Sequence, residues 1–553
     1  MIKRTFSIFA ATLVCAFVAA VPAKRGQWKL ITLEDGTKVK AELRGDEHCH
    51  YWQSEDGQCY VVNDTSDRFV RTDINLIAQE GMMRRAMRKS VMSARTARRK
   101  KANYFGSKKG LIILTQFQNK TFREENNQAL YNRIANELNF NEGSFRGSVR
   151  DYFRAQSNGQ FDLEFDVIGP VTISENYEYY GKNIGKNDAH PGQMVAEACK
   201  AADSLGVDFS QYDWDNDGEV DQVFVLYAGR NEATGGGKNT VWPHEFQLKY
   251  SDYGEALTLG TVTVNTYACS SELGISGIDG IGTICHEFTH CLGLPDMYDT
   301  NYTGNFGMNE FDLMDAGSYN GNGFVPAGYS SYEKWECGWI DPIVLKKDVT
   351  IEGLKPMSEH GDAYVIYNDA NKNEYYLLEN RQQTGWDEQI PGAGLLIIHV
   401  DYDPYVWMYN VVNSKGTYYN AYGVKRTNDH ERCTIFHADN STLRAYGDPY
   451  PYKKNDSLTV ASKPAATLYN KSTHGDKLMH KAVLDIKRND DNTMSFTYRN
   501  EDILPTAIVD LQNDNAVVTE KRIYSIDGRY MGNNLNALEK GLYIINGKKV
   551  MKD

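Results

Sequence analysis

Beyond its N-terminal stretch the chain lacks any apolar run long enough to cross a bilayer, which excludes a polytopic membrane protein. Cysteine is scarce, nine in 553 residues, too few for a fold held together mainly by disulfides. No long internal repeat is evident, and the composition lacks the bias of a disordered or collagen-like chain. An excess of basic residues is missing too. The net charge is −13, which argues against nucleic acid as a partner. Histidine is rare, 12 residues in all, so any spaced pair of histidines carries information.

What is present starts with MIKRTFSIFAATLVCAFVAAVPAKRG. Lys3 and Arg4 precede an apolar stretch from Phe6 to Val21, and small residues at 19–23 offer cleavage near Ala20 or Ala23. This pattern reads as a secretory signal peptide over 1–23, and the chain is expected to be secreted with no stable span in its mature form. Cys15 leaves with the signal. The pairing of the other eight cysteines is not fixed by sequence.

Charge is unevenly placed. Lys24 to Lys109 holds 19 basic and 11 acidic residues, whereas 110–553 carries a net −23. Short alternating runs such as KLITL, TKVKAEL and CYVVN, separated by Asp-Gly turns, predict a small β module. RRAMRKSVMSARTARRKKANYFGSKK (84–109) then brings eleven basic residues and no acidic one. It reads as a solvated linker that is also easily nicked. Together, 24–107 is expected to be a pro-region. Its Asp46, His48, Cys49 and His50 could reach a metal, but a hairpin with Cys49 bonded to Cys59 is the reading preferred here.

LIILTQF and QVFVLYAG read as strands, and 121–140 and HPGQMVAEACKAADSLG as helices. This mixture continues to about residue 342. Alternating segments such as DAYVIYND and GLLIIHVD then predict a β-rich accessory domain over 343–500, and 501–553 a small β tail.

Within GIGTICHEFTHCLGLPDMYDT, His286 and His290 are four apart and share one helix face, with Glu287 beside them. Two imidazole ligands flanking a general base is the zinc-peptidase arrangement. By composition such a match is expected on the order of 0.02 times by chance. Gly293 can end the helix in a left-handed turn, Pro295 blocks its resumption, and Asp296 can swing back as a third ligand. Two imidazoles and a carboxylate leave one position open, as catalytic zinc requires. The alternative for Asp296 is a helix-stop aspartate.

Adding FDLMDAGSYNG, ENRQQTGWD and GLLIIHVD, the stretch of roughly 105–500 resembles the secreted, immune inhibitor A-like metallopeptidases of bacteria, with a metzincin-like Met-turn at Met314. The resemblance implies an α+β chain. It would have a metzincin-like catalytic domain (108–342), an N-terminal β pro-domain and C-terminal β-sandwich-like domains. The implied activity is zinc-dependent hydrolysis of protein or peptide substrates, with Glu287 catalytic. Asp296 in place of a third histidine is usual for that group. Asp315-Ala316 follows Met314 where astacin-type enzymes have a tyrosine, and Tyr319 lies nearby. The tail KRIYSIDGRYMGNNLNALEKGLYIINGKKVMKD resembles C-terminal sorting tails of some Gram-negative secreted proteins, implying export machinery as a partner.

DWDNDGEVDQV places Asp213, Asp215 and Asp217 at positions 1, 3 and 5 of a loop, Gly218 at 6 and Asp221 at 9. Alternate hard oxygens with a turn glycine suit Ca²⁺, although Phe224 stands where an EF-hand needs glutamate. A plain acidic turn is the alternative. A second class of function, an adhesin or carbohydrate-binding protein with an inactive peptidase domain, is permitted by the tyrosine-rich β half. The intact His286, Glu287, His290 and Asp296 weigh against it. Among enzymes, a zinc amidase or deaminase is the runner-up, and it leaves the pro-region without a purpose.

Overall fold

The unbroken apolar runs Leu111–Leu114 and Val223–Tyr227 are buried on both faces, as parallel strands between helical layers require. The computed structural model describes residues 21–47, 50–63, 66–78, 104–185, 187–419 and 424–501, and in the tail 523–526, 530–532, 534–545 and 548–552. The signal stretch before Val21, His48, Cys49 and the basic run 84–103 lie outside the described residues.

The chain divides into two compact units, 1–499 and 500–553. In the first, strands Trp28–Thr32, Lys38–Arg44, Tyr51–Ser54, Cys59–Val62 and Phe69–Thr72 form an antiparallel meander in chain order. Gly36 and Gly57 turn two of its hairpins at positive φ. Cys59 is a free buried thiol, and the expected bond to Cys49 falls on a residue outside the described ones. Cys59 pairs in register with Thr72, and Gln53 Nε2 lies 3.9 Å from its sulfur.

The central sheet has the order His244–Gln247, Thr266–Leu273, Val223–Arg230, Gly106–Gln116, Phe161–Thr172. Only the His244–Gln247 edge runs antiparallel. The strand Gly106–Gln116 begins inside the stretch read as linker. Lys108 and Lys109 are strand residues tied to Trp214 O and Asp166. Helices Gln128–Asn136, Val149–Gln156, Pro191–Ser204 and Gly282–Leu292 cover the sheet.

The 343–500 region is mostly β, with a five-stranded and a three-stranded sheet. One hydrophobic cluster runs from Tyr104 through Phe288 and Met314 to Val365, Leu396 and Ile435, so the chain on either side of residue 342 shares a core. The joint is polar as well as apolar. Arg381 is fully buried, with Nε and Nη2 donating to Asp387 and Nη1 to Glu379, 3.1 Å away. Asp387 Oδ1 accepts from Gly328 N–H at 2.9 Å, and Arg381 Nη2 donates to Gly328 O. The ENRQQTGWD motif is thus a buried clamp on the chain that follows Met314. In the tail, Tyr530–Gly532, Ile523–Ser525, Gly541–Ile545 and Lys548–Lys552 form an antiparallel sheet in that order. The molecule is therefore a mixed α/β protein with many sheets and few helices. No helix among the described residues is long and apolar enough to cross a membrane.

Candidate metal centre

The helix Gly282–Leu292 buries Ile284, Cys285, Phe288 and Leu292. Phe288 packs on Phe153 and Phe165 at ring distances of 5.1 and 5.7 Å. This apolar face fixes the helix rotation, so His286 and His290 project together from the other side. Gly293 stops the helix at φ 105°, its N–H donating to Thr289 O and His290 O. The chain then turns back and brings Asp296 to the histidines. All three ligand candidates and Glu287 are 2% exposed or less.

His286 Nε2 and His290 Nε2 are 3.1 Å apart, and Asp296 Oδ1 is 3.3 and 3.1 Å from them respectively. A tetrahedral ion with bonds of about 2.0–2.1 Å has ligand-to-ligand edges of about 3.3–3.4 Å. The observed triangle fits one face of that tetrahedron. The far sides of the imidazoles are committed: His286 Nδ1 lies 2.8 Å from Leu313 O, and His290 Nδ1 2.8 Å from Leu294 O. A carbonyl can only accept, so each Nδ1 carries the proton and each Nε2 presents a lone pair. Two lone pairs and a carboxylate oxygen with no hydrogen-bond donor of its own thus converge in a buried space. A cation reconciles them. Burial holds His286 below its usual pKa, which keeps it neutral and able to ligate. Burial alone would raise Asp296, but the neighbouring His290 and His286 hold it well below the carboxylate range.

Met314 sits fully buried in the core, and the turn around it pins both arms of the site. Leu313 O holds His286, and Met314 O accepts from Met297 N–H at 2.8 Å, next to Asp296. A further contact has no counterpart in the sequence reading. Asp296 N–H donates to Asn410 Oδ1 at 2.7 Å, and Asn410 Nδ2 donates to Asp296 Oδ2. Asn410 belongs to the 343–500 region, 114 residues away, and no motif spacing could have marked it.

Glu287 meets the start of the described chain. Val21 N–H donates to Glu287 Oε1 at 2.8 Å. Trp242 Nε1 donates to Val21 O, Tyr319 Oη to Pro22 O at 2.7 Å, and Ala23 N–H to Gly45 O. Val21 and Ala23 are buried with Leu43, Ala233 and Trp242. Tyr319, five residues after Met314, therefore already donates to a peptide carbonyl beside the centre. Asp46 accepts from Tyr298 Oη, and the His50 ring stacks on Trp242. Among the described residues the side chains whose ligand atoms gather at this site are His286, His290 and Asp296.

The acidic loop makes a second cluster. Carboxylate oxygens of Asp213, Asp215 and Asp221 lie within 4.8 Å of one another. Asp217 is outside that group, and its Oδ1 accepts from Glu219 N–H in a local turn.

Residues 108–339 match the family model described as immune inhibitor A peptidase M6, catalytic domain. A pre-pro-metalloprotease PrtV of Vibrio cholerae is 27% identical over 246 residues, covering 38% of this chain and 27% of that protein. Immune inhibitor A of Bacillus thuringiensis subsp. alesti is 27% identical over 224 residues, covering 35% and 32%. A putative secreted metallopeptidase of Arthroderma benhamiae is 22% identical over 212 residues, covering 32% and 30%. The chain spans about a third or less of the length of these relatives.

Proposed function

We propose, from the match of residues 108–339 to the immune inhibitor A peptidase M6 catalytic domain, that the chain is a secreted zinc-dependent endopeptidase made as a latent precursor. The observation that carries this reading is the 3.1–3.3 Å triangle of His286 Nε2, His290 Nε2 and Asp296 Oδ1. When bound there, zinc would lower the pKa of a water and polarise a peptide carbonyl. Glu287 takes the water's proton and passes it to the departing amine. Gly293 and the Met-turn hold the ligands still, and the buried surroundings exclude bulk water. Tyr319 donates to a backbone carbonyl in the cleft. The test is casein hydrolysis by the processed protein before and after zinc chelation. Loss on chelation and return with added zinc are expected. Hydrolysis indifferent to the chelator would sink the reading, and absence of any hydrolysis would favour the binding-protein alternative.

Latency follows from the segment Val21–Lys24, seated on Glu287, Trp242 and Tyr319. Signal cleavage after Ala20 leaves this segment in place, whereas cleavage after Ala23 removes it. The basic run 84–103 is the natural place for the later cut that frees the pro-region. Extracellular proteins and peptides are the substrates, and the 501–553 tail serves export.

The acidic loop is a calcium site held by Asp213, Asp215 and Asp221. Burial, helped by Asp215, Asp213 and Asp217, pushes Asp221 up to about 7. The folded protein therefore keeps a proton that the unfolded chain gives up from about pH 4. Without a cation, this group's contribution to stability falls as pH rises from about 4 to about 7. Calcium offsets that loss. Melting temperature is expected to rise with calcium, and by more at pH 7.5 than at pH 5. Identical melting with calcium and with a calcium chelator at both pH values would leave the loop as an acidic turn.

A further inference from the structure

The carboxylate of Asp296 is divided between two tasks. Oδ1 faces the two imidazoles, while Oδ2 and the residue's own N–H face Asn410. We propose that Asn410 is a positioning residue of the metal centre: its side-chain amide clasps Asp296 from behind and holds it as a one-oxygen ligand. The proposal rests on the zinc reading above.

Three features support it. A primary amide offers an acceptor and a donor side by side, and here both are used on one residue, Asp296. Asparagine also tolerates the left-handed backbone, and Asn410 sits at φ 55°, 1% exposed. That conformation follows the short helix Pro404–Met408, with Asn410 N–H donating to Trp407 O. Finally, the loop bearing Asn410 is itself fixed. Asn413 Nδ2 donates to Met297 O at 2.7 Å and Cys433 O at 2.6 Å. Asn428 Nδ2 donates to Val411 O and Ser414 O. Thr300 Oγ1 donates to Asn410 O at 3.1 Å. The chain around Asp296 is thus gripped along 296–301 by a loop of the β-rich region.

The functional consequence concerns coordination. With Oδ2 engaged by the amide, only Oδ1 is available to the ion. A one-oxygen carboxylate and two imidazoles leave the fourth position for water. Release of Oδ2 lets the carboxylate rotate or bind through both oxygens, which loosens the site and crowds that position. The β-rich region is then part of the catalytic apparatus rather than an appendage.

Two variants separate positioning from folding. Asn410→Gly removes both bonds and suits the left-handed backbone. Asn410→Asp keeps the acceptor for Asp296 N–H and replaces the donor with a second carboxylate oxygen. Full-length proteins are compared for zinc dissociation constant, for the visible spectrum after cobalt substitution, and for melting with and without zinc. Both variants are expected to bind zinc roughly 10–100-fold more weakly, the size of effect typical of groups that orient metal ligands. Their cobalt spectra should change, and the gap between zinc-loaded and zinc-free melting should shrink. Variants that melt lower with and without zinc by the same amount, with unchanged zinc affinity and cobalt spectrum, would overturn the proposal. If the parent protein itself binds no zinc, the functional reading fails instead.

Discussion

Replacing Glu287 with glutamine is expected to leave zinc bound and to remove nearly all hydrolysis, by about 10²–10⁴-fold. The substitution keeps the shape and one oxygen but abolishes proton acceptance. Glu287 is not among the three side chains whose ligand atoms converge, so metal content should be unaffected. Its carboxylate lies on the helix between the two histidines, completely buried, and already accepts a backbone N–H at 2.8 Å. A group so placed can take a proton from a water in the cleft. Kinetics on casein, with zinc measured on the same samples, check this. A fully active Glu287→Gln protein would remove the proposed mechanism, and a zinc-free one would make Glu287 a ligand instead.

The second large effect is release of the pro-segment. With the signal cut after Ala20, so that Val21–Ala23 stay on the chain, hydrolysis by the linker-cut protein freed of residues 21–107 is expected to exceed that of the uncut chain by at least about tenfold. The reason is tethering. Val21–Ala23 lie against Glu287, Trp242 and Tyr319, and a segment held on the same chain competes at roughly millimolar effective concentration. Substrate at tens of micromolar cannot displace it readily. The check is a chain whose basic residues between 84 and 101 are replaced by neutral ones, assayed beside the processed form. An uncut chain as active as the processed one would show that the segment does not block the cleft.

How much of this was written in the sequence differs from part to part. The convergence of His286, His290 and Asp296 was legible because its determinants are local. An i, i+4 histidine pair, a left-handed glycine and a proline act within eleven residues, and the fold only completes the turn that they specify. The strands Gly106–Gln116 and Val223–Arg230 and the helix Pro191–Ser204 were legible for the same reason, through their periodicity. Asn410 was not, because its partner is 114 positions distant and a lone asparagine in YNVVNS has no pattern. The seat of Val21–Ala23 was hidden too, since it depends on Trp242 and Tyr319 arriving from separate loops. Asp217 fitted the alternate-residue pattern of a calcium loop, and in the fold its Oδ1 accepts from Glu219 N–H while oxygens of Asp213, Asp215 and Asp221 gather within 4.8 Å.

The most direct measurement is zinc-edge X-ray absorption on the purified Glu287→Gln protein. Two imidazole nitrogens and one carboxylate oxygen at about 2.0–2.2 Å, with water completing the shell, are the result the site requires. Sulfur scattering at about 2.3 Å, or a shell without imidazole, would contradict a centre built from His286, His290 and Asp296.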